Sequence, residues 1–162
     1  MELTRALLLE MAIRFITVGF YLATAIVIVR IRLSSARIAG TAAYVSKASH
    51  VLLHFPPIMA VLGNSGQVIT FLATMGSALT WLFGVELFSD ARRFDRKRLI
   101  PVLVVLCIVA AAMFAPPPFP RALWLLHAFT TVALMGHLLT VILLSWRNDL
   151  VDRRRFIATP VF

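Results

Sequence analysis

Charged residues are scarce in this sequence: 14% of its 162 residues are Asp, Glu, Lys or Arg, against about 25% in typical globular proteins. Cysteine occurs once, as Cys107, so the sequence offers no pair for an intrachain disulfide. These shortages exclude a disulfide-stapled secreted scaffold and a chain kept disordered by a high density of charge.

Apolar residues are abundant instead. They make up 60% of the chain, where about 45–50% is usual, and the mean hydropathy is +0.91. A soluble globule of this length could not hide so much apolar surface. In hydrocarbon the backbone must satisfy its own hydrogen bonds, so the composition predicts an all-α integral membrane protein.

Five apolar runs approach or exceed the length of about 17–25 residues that a helix needs to cross a bilayer. We therefore predict a polytopic helical bundle of about five transmembrane helices in one domain, residues 1–155, followed by a short tail, residues 156–162. The predicted spans are about 11–29, 38–55, 68–88, 99–115 and 122–146.

The positive charges predict how this bundle is oriented. The net charge is +9, and most basic residues fall in three clusters between apolar runs: Arg30, Arg32 and Arg37; Arg92, Arg93, Arg96, Lys97 and Arg98; and Arg147, Arg153, Arg154 and Arg155. By the positive-inside rule, the N-terminus lies outside and the C-terminus in the cytoplasm, with residues 56–67 as an uncharged outer loop. We expect a multi-pass protein of the bacterial cytoplasmic (inner) membrane.

Two other interpretations of the charge and the first run fit less well. A nucleic-acid surface needs basic residues on a water-exposed face beside stacking aromatics, and no such face is visible. A signal peptide usually has an apolar region of about 7–15 residues, shorter than the first run, and Arg30 and Arg32 follow that run directly. These charges favour a retained membrane helix.

Polar residues within the spans are candidate functional residues, because burying them in a membrane is costly. Lys47, His50 and His54 lie within about 60° of one another on a helical wheel and form one polar stripe on the second span. We predict a ligand or proton site here. Further contacts from other spans are predicted for Glu86, His127 and His137. The alternative is a stripe that lines a wet crevice or pairs between helices for packing alone.

The four histidines also raise the possibility of haem ligation, since imidazole is a common axial ligand. His127 and His137 are ten residues apart, about 15 Å along a helix, and His50 and His54 are one turn apart, which suits two stacked haems poorly. One haem, or a metal held by His50 and His54 with a third ligand, stays open, although we assign no metal site. Phosphate loops and hydrolase or zinc motifs are absent from the sequence, so we predict no enzyme activity.

Three passages resemble a bacterial protein family. They are residues 79–94 (LTWLFGVELFSDARRF), the pair 125–127 (LLH) and 132–137 (VALMGH), and residues 145–155 (SWRNDLVDRRR). Together they resemble the membrane-embedded N-terminal halves of AraC-type transcriptional regulators, over about residues 38–156. In that family a multi-helix sensor precedes a cytoplasmic helix-turn-helix domain.

The resemblance implies a non-enzymatic membrane sensor or regulatory module. In the family, further membrane helices and the DNA-binding domain follow the arginine-rich passage, whereas seven residues follow Arg155 here, so we expect no direct nucleic-acid binding by this chain. The alternative hypothesis is a small accessory subunit of a larger bacterial membrane complex, in contact with a haem or pigment. Either way, the expected partners are the lipid bilayer and another membrane protein or a second copy.

Overall fold

The computed structural model describes residues 2–30, 34–88 and 95–158. Within these ranges the chain is helical and contains no strand, which confirms the all-α prediction. Part of the basic clusters, the end of the 79–94 passage and residues 159–162 of the predicted tail lie outside the described ranges. The helices are α1 (Glu2–Arg30), α2 (Ser35–Leu53), α3 (Pro56–Leu62), α4 (Gly66–Thr74), α5 (Gly76–Phe88), α6 (Leu99–Phe114) and α7 (Phe119–Ala158), with 3-10 turns at Gly63–Ser65 and Arg96–Arg98.

Four helical stretches of the described chain are long and apolar enough to cross a membrane: Arg5–Arg30, Pro56–Phe88, Arg96–Phe114 and Phe119–Trp146. Many of their large apolar side chains point outward, such as Ile16, Phe129 and Val132, each more than 70% exposed. Soluble monomers rarely leave so large an apolar surface uncovered. The exposed surface is therefore of the kind that lipid contacts.

Helix α2 differs from the other predicted spans. It is not among the four apolar stretches, although we predicted a span at about 38–55. It packs instead against α1 on one side and against α4 and α5 on the other. α2 packs against other helices on two sides, so it does not need the large apolar side chains of a helix that faces outward. It carries small residues instead, which let the neighbouring helices approach closely. The buried ones are Ala39, Gly40, Ala43, Ser46, Ala48 and Ser49.

The prediction that residues 56–67 form a loop is wrong, because these residues are helical. After α2 ends at Leu53, the prolines at 56 and 57 begin α3, where a missing N–H costs nothing because the first helical N–H groups have no helical partner. The chain reverses at Gly63, whose φ of +50° is a conformation that glycine adopts readily. Helix α4 then begins at Gly66, so this connection is a helical hairpin.

Helix α7 extends well past its predicted span of 122–146. It runs unbroken for 40 residues from Phe119 to Ala158, about 60 Å at 1.5 Å per residue. The first helix is also longer than predicted and begins at Glu2, whereas α6 lies close to its predicted limits. An apolar run predicts only the part of a helix that can lie in lipid. The backbone hydrogen bonds of the helix can continue into the polar residues on either side, so α1 and α7 are longer than their apolar runs.

Helix α5 lies at the centre of the bundle, packed against α2, α6 and α7. Its side chains form the main core with residues of α6 and α7: Trp81, Leu82, Val85, Val105, Val109, Leu134 and Leu138. Glycines bring the neighbouring helices close to it. A Cβ on Gly40 would lie 2.8 Å from the ring of Phe83, and one on Gly76 would lie 2.8 Å from Ser46 Oγ.

We expect Gly40→Val to destabilise the bundle, because the added carbons would overlap the Phe83 ring and force α2 away from α5. Overpacking of this kind typically costs about 1–3 kcal/mol. Gly19→Val is the matched control, since no heavy atom lies within 4 Å of a Cβ at that position. The measurement is the free energy of unfolding in detergent micelles. Equal losses for the two variants would contradict the close α2–α5 contact.

Candidate functional site

A groove of about 470 Å³ lies between α2 and α7, with the junction of α4 and α5 as its floor. Its volume is within the range of about 300–1,000 Å³ that is usual for small-molecule sites. One wall carries Lys47, His50 and His54 at the C-terminal end of α2, and the other carries His127 and Thr131 of α7. The floor includes Ala73, Thr74, Gly76 and Ser77.

Four of the six candidate site residues line this groove: Lys47, His50, His54 and His127. The three from α2 share one side, and His127 faces them from α7. Glu86 and His137 are not part of its lining. Ser77 and Thr131, whose hydroxyl oxygens are 3.0 Å apart across the groove floor, were not singled out from the sequence. No sequence signal identified them, because hydroxyl residues are common in apolar helices.

Lys47 has no hydrogen-bond or ion-pair partner in the part of the chain that the structure describes. It is exposed in the isolated chain, so the groove is open on the Lys47 side. It also lines a smaller cavity of about 220 Å³ between α1, α2 and α5, beside Tyr21, Tyr44 and Phe83. Lys47 therefore lies at the boundary of two cavities, and the described side chains give it no counter-charge.

Hydrogen bonds assign the tautomers of two groove histidines. Nδ1 of His54 lies 2.9 Å from the carbonyl oxygen of His50, and Nε2 of His127 lies 3.1 Å from the carbonyl oxygen of Thr74. A carbonyl oxygen only accepts, so each of these nitrogens carries the proton and donates. In the neutral rings this leaves a lone pair on Nε2 of His54 and one on Nδ1 of His127.

His137 belongs to the α5–α7 contact. The indole N–H of Trp81 donates to its Nδ1 at 3.1 Å, and the two rings are 5.8 Å apart. Because an indole nitrogen only donates, His137 is neutral in this arrangement and carries its proton on Nε2. The sequence prediction that His137 completes the Lys47 stripe does not match this placement. The reason is that α7 turns His137 toward α5, whereas His127 faces α2.

Glu86 forms a separate polar cluster at the other end of α2. Its carboxylate lies 2.7 Å from Nη1 of Arg98, the residue before α6, and accepts a short hydrogen bond from the hydroxyl of Ser35 in the first turn of α2. Its side chain is only 5% exposed. We name Glu86, Arg98 and Ser35 the inner clamp, because they join the start of α2, the end of α5 and the start of α6.

Arg14 has a comparable position near the opposite end of α2. It pairs with Glu10 at 2.7 Å, donates to the carbonyl oxygen of Val51 at 3.2 Å and lies 5.6 Å from the ring centre of Phe55. It thereby satisfies a carbonyl in the last turn of α2, where helix carbonyls lack partners within the helix. Sequence reasoning did not assign Arg14 this contact, because its partners are remote in the chain.

Among the described residues, no group of three or more His, Cys, Asp or Glu side chains has the spacing to hold a metal ion. His50 and His54 are adjacent, with ring centres 4.5 Å apart, but no third ligand of these types joins them. The chemistry that the groove offers is therefore one ammonium group, imidazoles and hydroxyls beside apolar side chains.

No family model, curated protein or solved structure matches this chain. The resemblance to AraC-type regulators stays a prediction from the three sequence passages.

We expect Glu86→Ala to lower the free energy of unfolding by about 1.5–3 kcal/mol, because it removes a buried carboxylate that accepts hydrogen bonds from Arg98 and Ser35. Glu10→Ala is the matched control. It removes one carboxylate from an exposed pair on α1, where the expected loss is below about 1 kcal/mol. Thermal or denaturant unfolding in micelles measures both, and losses of similar size would contradict the inner clamp as a structural anchor.

Proposed function

We propose that this chain is a non-enzymatic membrane sensor module that binds a small molecule in the groove between α2 and α7. The observation that carries the proposal is the course of α7. This helix supplies His127 and Thr131 to the groove and continues without a break to Ala158. A change at the groove can therefore reach the far end of α7 through one rigid element.

The packing leaves α2 and α7 in little direct contact. Helix α2 is fixed by α1, α4 and α5 along its length, whereas it has no extensive contact with α7 in the described chain. Helix α7 is held by α5 and α6, through side chains such as Leu134 and Leu138. A molecule in the groove would thus bridge two helices that otherwise contact each other little. It shifts the position of α7 if it binds one arrangement more tightly than the other.

A five-span topology with the N-terminus outside is part of the proposal. The 19 residues of α2 extend about 28 Å, close to the hydrocarbon thickness of about 30 Å. The Arg14–Val51 and Tyr21–Tyr44 contacts together indicate that α1 and α2 run antiparallel, as consecutive spans do, because the later residue of α1 meets the earlier residue of α2. The basic clusters assign the inner-clamp end of the bundle to the cytoplasm of a bacterial inner membrane.

The resemblance to AraC-type membrane halves favours the same function. In that family the sensor helices lie in the membrane and the output lies in the cytoplasm, on the side where the far end of α7 would lie. This chain would contribute signal reception.

The topology predicts which positions face the cytoplasm. A reporter enzyme active only in the cytoplasm should work when fused after Arg155 and be silent when inserted at Asn64 in the α3–α4 turn. Colony or lysate activity, normalised to fusion protein in the membrane fraction, measures this. Activity at Asn64 with silence after Arg155 would contradict the proposed orientation.

A permanent occupant of the groove should move α7. We expect Thr131→Trp, which places a large ring in the groove, to change the distance between spin labels at Ile38→Cys and Arg155→Cys in a Cys107→Ser background. Val132→Trp is the matched control, because Val132 is 71% exposed on the outer surface of α7. Double electron–electron resonance measures the distance in lipid nanodiscs. If Thr131→Trp gives the same distance distribution as Val132→Trp, the groove and the far end of α7 are not coupled and the sensor proposal is wrong.

A further inference from the structure

We propose that the groove binds an organic carboxylate with an apolar body, anchored on the ammonium group of Lys47. This inference rests on the proposed ligand-binding role of the groove and names the chemical class of the ligand. It follows from the charges of the described residues, from the hydrogen bonds of the groove and from the nature of its walls.

The described part of the chain supplies no counter-charge to Lys47. The structure describes the side chains of three carboxylates: Glu10, Glu86 and Asp95. Glu10 pairs with Arg14, Glu86 is held in the inner clamp, and Asp95 accepts from the backbone N–H of Lys97. None of them lines the groove. An ammonium group within a membrane-spanning bundle is costly unless it is paired or hydrated.

The groove is well suited to an anion. Its lining contains Lys47 and three histidines and no acidic side chain. The hydroxyls of Ser77 and Thr131 bond to each other, so one of the two donates and the other keeps a hydrogen for a further acceptor. A carboxylate can accept both from the ammonium group and from a hydroxyl of this kind. A cationic ligand would meet only repulsion from Lys47.

The apolar side chains of the groove indicate the nature of the rest of the ligand. Leu53, Ala73 and Met135 supply apolar surface to the same groove. Small-molecule sites are typically apolar with a few polar groups that fix orientation. An inorganic anion would leave this surface unused, whereas an apolar chain or ring joined to the carboxylate would cover it. The ligand could reach the groove from water or from the bilayer, and both sources provide the same carboxylate chemistry.

Fluorescence quenching can test the inference, because the ring of Trp124 lies 5.7 Å from the ring of His127 at the groove wall. The chain is placed in zwitterionic lipid nanodiscs and titrated with 4-bromobenzoate, whose bromine quenches tryptophan on contact. The matched probes are 4-bromobenzyl alcohol and 4-bromobenzylamine, which keep the ring and change the charge. We expect saturable quenching by the carboxylate at concentrations where the alcohol and the amine give only weak, unsaturated quenching. Trp124→Phe should remove the saturable part.

Lys47→Met should raise the midpoint of the 4-bromobenzoate titration about tenfold or more, and a tenfold change corresponds to about 1.4 kcal/mol. Lys47→Arg should stay close to the unmodified chain, because it keeps the charge and the donors. Lys97→Met is the control for loss of one positive charge away from the groove, and it should leave the midpoint unchanged. Circular dichroism verifies that each variant remains helical, and the comparison of the carboxylate with the alcohol and the amine keeps the test valid if Lys47→Met does not fold.

A second carboxylate distinguishes the two sources. Dibromostearate partitions into the bilayer, and saturable, Lys47-dependent quenching by it at lower total concentration than by 4-bromobenzoate would indicate a ligand from the lipid phase. The reverse order would indicate a ligand from water, and either order supports the inference. Saturable quenching by the alcohol or the amine, or carboxylate quenching that Lys47→Met leaves unchanged, would overturn it. That result would leave the sensor function standing, because the spin-label experiment does not depend on ligand chemistry.

Discussion

The close approach of α2 to α5 is the contact on which the rest of the bundle depends. Small side chains on α2, together with Gly40, let its backbone lie against Phe83 and the start of α5. Without a thick apolar layer on α2, dispersion contacts between closely spaced helices must supply the packing energy. A helix with low hydropathy can therefore occupy the interior, with Lys47, His50 and His54 on its side that lines the groove. The groove exists because α5 holds α2 on one side and α7 on the other.

Among the charged side chains on or against α2, Arg14 and Glu86 have ion-pair partners in the described chain, whereas Lys47 has none. Near one end of α2, Arg14 is engaged by Glu10, a backbone carbonyl and an aromatic ring. At the other end the inner clamp buries Glu86 against Arg98. These contacts hold α2 at both ends, whereas Lys47, which lies between them on α2, has no ion-pair partner among the described residues. That contrast supports both the ligand-binding role and the carboxylate class.

The features that periodicity and composition determine were predicted correctly from the sequence. Contacts between residues that are remote in the chain were predicted incompletely. It predicted helices throughout and placed Lys47, His50 and His54 on one side of a helix, because spacing along a helix determines their angles. It also grouped Glu86 and His137 with this stripe as candidates. Both contact other residues instead: Glu86 pairs with Arg98, and His137 accepts a hydrogen bond from Trp81. Similarly, residues 56–67 carry no charge and contain prolines and glycines, yet they fold as a hairpin of short helices.

The sequence by itself determined the all-helical architecture with long apolar helices, because 60% of the residues are apolar and long apolar runs in hydrocarbon can satisfy their backbone only as helices. It also determined which polar residues would need an explanation. Only the tertiary structure decided how they are distributed: His127 faces α2 across the groove, His137 accepts from Trp81, and Glu86 holds the inner clamp. The physical reason is that the rotation and packing of α7 and α5 depend on how glycines and core side chains of several helices fit together, and no single run of residues encodes that fit.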